Sequence, residues 1–197
     1  FSFHQLKDAP LSVAAVTANF SYDKNGDSFL PTQTKNVADY DGVLLRLPPP
    51  LSRDFLQFLN KTYPQITFIN APDGIWETGS KAFLLNFPEL SPPMQLCQNA
   101  ADIDTFRKQF PIVLKPLREY GGRGIVRIHG EKVMDGKNEY SFEQFFNNYQ
   151  QNPIPYLGVK FLKNVNEGDK RIVVVDGKIM GASLRLPAAN SWLCNVS

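Results

Sequence analysis

The chain has 197 residues, 43% hydrophobic and 20% charged, an ordinary globular composition with room for one large or two small domains. Twenty-one Lys and Arg against 19 Asp and Glu leave a net charge of +2, which excludes a strongly basic nucleic-acid module and an acidic tail. Cys97 and Cys194 are too few for a disulfide framework or a Cys-x-x-Cys metal site, and no apolar run reaches the roughly 18 residues of a membrane span.

In chain order, Gly42–Leu47 reads as a strand closed by Pro48-Pro49-Pro50, which lack the amides to continue a ladder. Ser52 suits a helix N-cap, with Phe55, Leu56, Phe58 and Leu59 on one helical face. Ile66–Ile69 is a second buried strand, and Asn70-Ala71-Pro72 turns into a further helix. This β-α-β order predicts a parallel pair. Thr78–Phe83, with Lys81, reads as helical. Ser91-Pro92-Pro93 breaks the pattern. Beyond it come a strand at Met94–Cys97, a helix capped by Asn99 or Asp102, and a strand at Pro111–Lys115, its ladder ended by Pro116. A glycine-rich loop, Glu119–Gly124, joins that strand to an alternating one at Ile125–Ile128. Ser141 and Glu143 open an aromatic helix, Tyr156–Phe161 is a strand, and Arg171–Met180 is a hairpin turning on Asp176-Gly177. The second half is therefore mixed and mostly antiparallel.

Three pieces carry chemistry. Lys115 ends an apolar strand just ahead of Gly121-Gly122-Arg123-Gly124, and glycines let backbone N–H groups approach an anion closely. A neighbouring lysine adds a compact positive charge for phosphate. That local pattern suits a phosphate cradle and a plain hairpin with a solvated lysine equally. It is neither a Walker A loop nor a dinucleotide fingerprint, because Gly-Lys-Ser/Thr and the G-x-G-x-x-G spacing are absent. Lys81 is the second piece. The third is Gly168-Asp169-Lys170-Arg171 entering an apolar strand, where a carboxylate can accept from a ribose hydroxyl and an arginine can clamp an anion. Taken singly, the second and third pieces fit a surface lysine and a polar turn.

Together, Ile112-Val113-Leu114-Lys115-Pro116-Leu117, Gly121-Gly122, Gly168–Gly177 and Leu184-Arg185-Leu186-Pro187 resemble the ATP-grasp carboxylate–amine ligases, most closely the bacterial glutathione synthetases. Val43–Arg46, Pro49-Pro50, Ile69-Asn70 and Pro72 follow the same family. The resemblance implies an ATP-grasp fold, α/β and α+β, behind an incomplete N-terminal α/β domain. It implies domains at 1–90, 91–157 (the lid subdomain) and 158–197 (the start of the large sheet). Lys81 and Lys115 would hold ATP phosphates, and Tyr120, Gly121, Gly122, Arg123 and Gly124 would form the lid. Lys160, Phe161 and Leu162 match the adenine hinge, acting mainly through the backbone of Lys160 and Leu162, and Asp169 matches the ribose-binding acid. Arg171 and Arg185 would meet substrate carboxylates or the acyl-phosphate as catalytic residues. Arg46 and Asn195 fall in substrate segments.

The implied cofactors are ATP and Mg²⁺, and the implied reaction is glutathione synthesis from γ-glutamylcysteine and glycine. The implied assembly is a cytoplasmic homo-oligomer with small-molecule substrates and no nucleic-acid or membrane partner. The absence of a readable signal peptide agrees with that compartment. Three positions depart from the family: Leu47 and Pro48 replace a Lys-Asp pair, Leu193 replaces an arginine, and no acidic or Asn Mg²⁺ ligand of the family precedes Ser197. The chain reads as truncated, and complete as it stands it would bind nucleotide poorly and catalyse nothing. Two rival expectations follow: a ligase of the same fold with another amino-acid or peptide substrate, and a non-catalytic nucleotide-binding module. His4 and His129 are lone residues, and Phe142, Phe145, Phe146 and Tyr149 have the spacing of a core stripe.

Overall fold

The computed structural model describes residues 14–17, 20–23, 26–29, 33–47, 49–136 and 138–187. The chain divides into two compact units, Phe1–Gly79 and Ser80–Ser197.

In the first unit, β1 (Ala14–Thr17), β2 (Phe20–Asp23), β3 (Gly26–Phe29) and β4 (Gln33–Asn36) make two antiparallel pairs, β1 with β4 and β2 with β3. β5 (Gly42–Leu44), α1 (Arg53–Thr62) and β6 (Thr67–Ile69) form the expected parallel β-α-β unit. The Ser52 hydroxyl accepts the Phe55 N–H at 3.2 Å, which satisfies one of the orphan donors of the first turn. Phe58 and Leu59 then pack with Val37, Leu45, Tyr63 and Ile66 in one core cluster, and Leu56 is buried as well. Each such buried leucine contributes about 1.5–3 kcal/mol. β5 stops short of the expected Leu47. After the Leu45 N–H reaches the Ile69 carbonyl, β6 has ended and no partner remains among the described residues. α2 (Pro72–Thr78) starts on a proline, whose missing N–H costs nothing at that position.

The second unit opens with 3₁₀ helices at Lys81–Asn86 and Pro88–Leu90. The α-helix expected across Thr78–Phe83 is instead two pieces. Gly79 closes α2, and the Ser80 hydroxyl accepts the Ala82 N–H to start a new, tighter turn. There follow β7 (Met94–Cys97), α3 (Ala100–Arg107), β8 (Ile112–Pro116), β9 (Val126–His129), β10 (Lys132–Asp135), β11 (Asn138–Ser141), α4 (Phe142–Gln151) and β12 (Tyr156–Lys160). Their sheet has the order β11-β10-β9-β8-β12-β7, antiparallel throughout. Both helices carry capping boxes, Asn99 with Asp102 and Ser141 with Gln144. Pro116 does not leave the ladder but sits opposite Tyr156 as the last strand residue.

One face of this sheet packs on α3 and α4. Its core holds Ile112, Leu114, Val126, Ile128 and Val133 from the strands, with Ile103, Phe106, Phe142, Phe145 and Tyr149 from the helices. Gly158 leaves little room there. A Cβ would come to 3.0 Å from both the Cys97 Sγ and the Phe106 ring. Gly158→Ala is expected to cost about 1–3 kcal/mol by overpacking, read as a lowered urea midpoint. Burial within this core pushes the Cys97 thiol up to about 11. At pH 8, iodoacetamide should therefore label the Cys97 peptide at least roughly 100-fold more slowly in the folded protein than in guanidinium, as followed by mass spectrometry.

β13 (Asp169–Val175) and β14 (Lys178–Arg185) form a separate two-stranded hairpin with an irregular register between Val173 and Val174. It is longer than the expected hairpin at both ends. Ile172, Val174, Ile179 and Met180 are exposed on it. Among the described residues no helix is long and apolar enough to cross a membrane.

Candidate nucleotide site

The site begins at the end of β8. Lys115 lies opposite Leu157 on the sheet face away from α3 and α4. It is half-buried, and desolvation holds its ammonium below the ordinary lysine range. The chain that follows turns over Lys81. The Lys81 N–H donates to the Leu117 carbonyl at 2.8 Å, and its Nζ donates to the carbonyls of Pro116, at 2.9 Å, and Glu119. The Tyr120 ring lies 5.4 Å from Nζ. The Lys81 pKa is also lowered, first by burial and then by the Lys115 charge, with Glu119 acting the other way. Each ammonium thus stands in the field of the other, and an anion between them would relieve both the repulsion and the desolvation.

The glycine loop is a turn over Gly121–Gly124, and Lys81 is held by the carbonyls of the segment that leads into it. Gly121, Gly122 and Gly124 have φ of 65°, 77° and 65°, so the loop needs glycine for its backbone. Arg123 meets Glu119 at 3.2 Å, but both are exposed, and such a pair contributes little.

β12 runs beside β8 and leads into the expected hinge segment, Lys160–Leu162. The Lys160 N–H donates to the Pro93 carbonyl at 2.9 Å, and the Phe161 N–H to the Pro111 carbonyl at 2.8 Å. The two residues of a hydrogen-bonded antiparallel pair exchange two bonds, but Pro93 has no N–H to return. The Lys160 carbonyl is left without that partner, and the Leu162 amide donates to nothing among the described residues. The hinge therefore offers an acceptor and, two residues on, a donor. The Lys160 ammonium itself turns to the Phe110 ring at 5.3 Å.

Asp169 and Arg185 face each other across the hairpin mouth and are paired, Nε to Oδ1 at 2.7 Å and Nη2 to Oδ2 at 2.6 Å. Gly168 makes this possible. Its φ of 89° and the Arg185 carbonyl, 2.5 Å from where a Cβ would stand, exclude other residues. Arg171 is exposed, opposite Ser183 on the same strand face as Asp169. Arg46 belongs to the first unit, where it lines a cavity of about 460 Å³ with Leu45, Leu47, Asn70 and Ile75 at the ends of β5 and β6. Asn195 lies outside the described residues.

The structure therefore brings Lys81, Lys115 and the start of the glycine loop together. It places Lys160 on the strand next to that of Lys115 and couples Asp169 to Arg185. Among the described residues no group of three or more His, Cys, Asp or Glu side chains gathers, and the expected Mg²⁺ is assigned to none of them.

The sequence model of the family described as prokaryotic glutathione synthetase, ATP-grasp domain, matches residues 80–197, the whole of the second unit. The chain belongs to this family. The glutathione synthetase of Bradyrhizobium diazoefficiens is 32% identical over 88% of this chain and 55% of its own length. That of Vibrio vulnificus is 34% identical over 89% and 56%. The chain thus spans about half the length of the curated relatives it matches. Among solved structures, D-cycloserine synthetase DcsG aligns with a TM-score of 0.57 at 14% identity, over 75% of this chain and 53% of that one. A RimK domain ATP-grasp protein from Sphaerobacter thermophilus aligns at 0.53 and 17%, over 75% and 55%. At those identities the likeness is one of fold, and the fold is ATP-grasp, as the sequence led us to expect.

One residue of the sheet escaped the sequence reading. Arg127 alternates with the core residues Val126 and Ile128, so it lies on the face that carries Lys115. That alternation was the available signal.

Proposed function

We propose that the protein to which this chain belongs is an ATP-dependent carboxylate–amine ligase that makes glutathione from γ-glutamylcysteine and glycine in the cytoplasm, as a homo-oligomer. The observation that carries the reading is the pair of desolvated ammonium groups, Lys81 and Lys115, at the root of a glycine lid. The hinge supports ATP as the nucleotide. A carbonyl acceptor at Lys160 and an amide donor at Leu162 complement the amino group and neighbouring ring nitrogen of adenine, whereas guanine offers the reverse.

A carboxylate is a poor acyl donor. Attack of its oxygen on the γ-phosphorus gives an acyl-phosphate and ADP, and attack by an amine nitrogen then forms the C–N bond and expels phosphate. In this reading Lys81 and Lys115 offset charge on the phosphates, the lid excludes water from the acyl-phosphate, and Arg171 meets a substrate carboxylate. Arg185 would join it only after its pair with Asp169 opens, which would release Asp169 for the ribose. The family names this fold "ATP-grasp", which agrees with a nucleotide in this place.

The test is phosphate release by the full-length protein. Release is expected only when ATP, γ-glutamylcysteine and glycine are all present, and no stimulation by any amino-acid or peptide substrate would refute the reading. A specific observation favours a second reading, a ligase for another peptide. Leu47 lines the cavity beside Arg46, where the family resemblance calls for lysine. In that case a substrate panel should show greater release with a less charged acceptor or donor.

A further inference from the structure

The sheet face that carries Lys115 carries a second cation that nothing above employs. Arg127 stands in the cross-strand row Met134–Arg127–Val113–Val159–Met94, next to the row Lys115–Leu157–Leu96. Side chains directly opposite in neighbouring strands share a face, and Val113, Leu157 and Val159 are buried on this one. The Arg127 guanidinium carbon lies 3.8 Å from the centroid of the Phe161 ring, a close cation–π contact. Its Nε is buried without a hydrogen-bond partner among the described residues, and it is the one such side-chain atom found there. Burial also lowers the Arg127 pKa. A fold that needed only bulk at this point of the row would be better served by an apolar side chain, because a buried donor left unmade is costly. Phe161 has a particular neighbourhood. It separates the Lys160 carbonyl from the Leu162 amide, the two groups that face outward from the hinge.

We infer that Arg127 is a positioning residue for the base of the nucleotide: by stacking on Phe161 it holds the peptide groups on either side at the spacing a purine amino edge requires. Arg127 so acts on base recognition and not on the phosphates, which belong to Lys81 and Lys115. This rests on the ATP reading of the site.

The test is calorimetric titration of the full-length protein with ATP and, as a probe without a base, inorganic tripolyphosphate. Arg127→Met is expected to weaken ATP about tenfold or more while leaving tripolyphosphate affinity within about twofold. Arg127→Lys should recover only part of the loss, because an ammonium lacks the planar stack. In a double-mutant cycle with Phe161→Leu, the combined loss should fall short of the sum. Unchanged tripolyphosphate binding also shows that the variants are folded. ATP affinity equal to wild type in Arg127→Met, an equal loss toward both ligands, or strict additivity with Phe161→Leu would overturn the inference while leaving the ATP reading intact. Failure of the wild-type protein to bind ATP at all would instead overturn the ATP reading, and this inference with it.

Discussion

Lys115→Met is expected to cut kcat/KM for ATP-dependent phosphate release by about 100-fold or more, and at the same time to stabilise the ligand-free protein. The two effects share one cause. Lys115 is half-buried at the end of the central strand, with Leu157 opposite, and desolvation holds its pKa down. A lysine whose folded pKa lies below its unfolded value burdens the fold. The cost is fully present below the folded pKa. It is relieved as pH rises through that value toward 10.5, where the unfolded chain also loses its proton. Methionine fills similar volume without a charge, so the variant should gain on the order of 1 kcal/mol at neutral pH, a rise of a few degrees in Tm. The gain should shrink in alkaline buffer. A variant with lost turnover and a lowered Tm would mean that Lys115 braces the fold instead of waiting for an anion.

Gly168→Ala is the second substitution with a large expected effect. Gly168 has a φ of 89° with extended ψ, a conformation open essentially to glycine alone. An added Cβ would lie 2.5 Å from the Arg185 carbonyl and 2.9 Å from the Leu186 side chain. The first is backbone and cannot swing aside. Strain and overlap together should cost about 3 kcal/mol locally and splay the mouth of the β13–β14 hairpin, parting Asp169 from Arg185. Because that hairpin is a two-stranded sheet of its own, the loss should appear as faster amide exchange in residues 169–185, with the six-stranded sheet unaffected. Uniform exchange across the second unit would contradict this. So would protection at 169–185 equal to wild type.

The parts of the fold that could be read from sequence were those where one residue decides a local geometry. Ser52 and Asn99 each cap a helix through their own side chains, and Pro93 and Pro111 immediately precede the strands β7 and β8. The glycine loop was legible because three glycines lie within four residues, and all three take positive φ. The β10–β11 hairpin was not read. Its first strand buries only Val133 and its second buries nothing, so no period-2 pattern rises above the charged residues around it. The 3₁₀ start at Lys81 depends on Ser80 capping a turn just after α2 ends, which a helical period cannot distinguish from continuation.

The site divides in the same way. Lysines, glycines and the Gly-Asp-Lys-Arg run announce themselves by type. Their partners do not. The Asp169–Arg185 pair spans sixteen residues and a register irregularity, so only the folded hairpin reveals it. The Lys81 bonds to Pro116 and Glu119 also cross a long separation. Pro116 was expected to end the ladder because it lacks an N–H. It still supplies a carbonyl, and that carbonyl is what Lys81 uses. Arg127 was overlooked because an arginine alternating with apolar residues usually marks a solvent face, and here that face is lined by Val113, Leu157 and Val159.

The most direct measurement is a titration of inorganic tripolyphosphate into the full-length wild-type protein and into Lys81→Met and Lys115→Met, since that ligand carries neither base nor ribose. Binding to the wild type, weakened about tenfold or more by either substitution and not weakened twice over by both together, is the expected result. Wild-type affinity in either single variant would show that the two ammonium groups do not serve one anion.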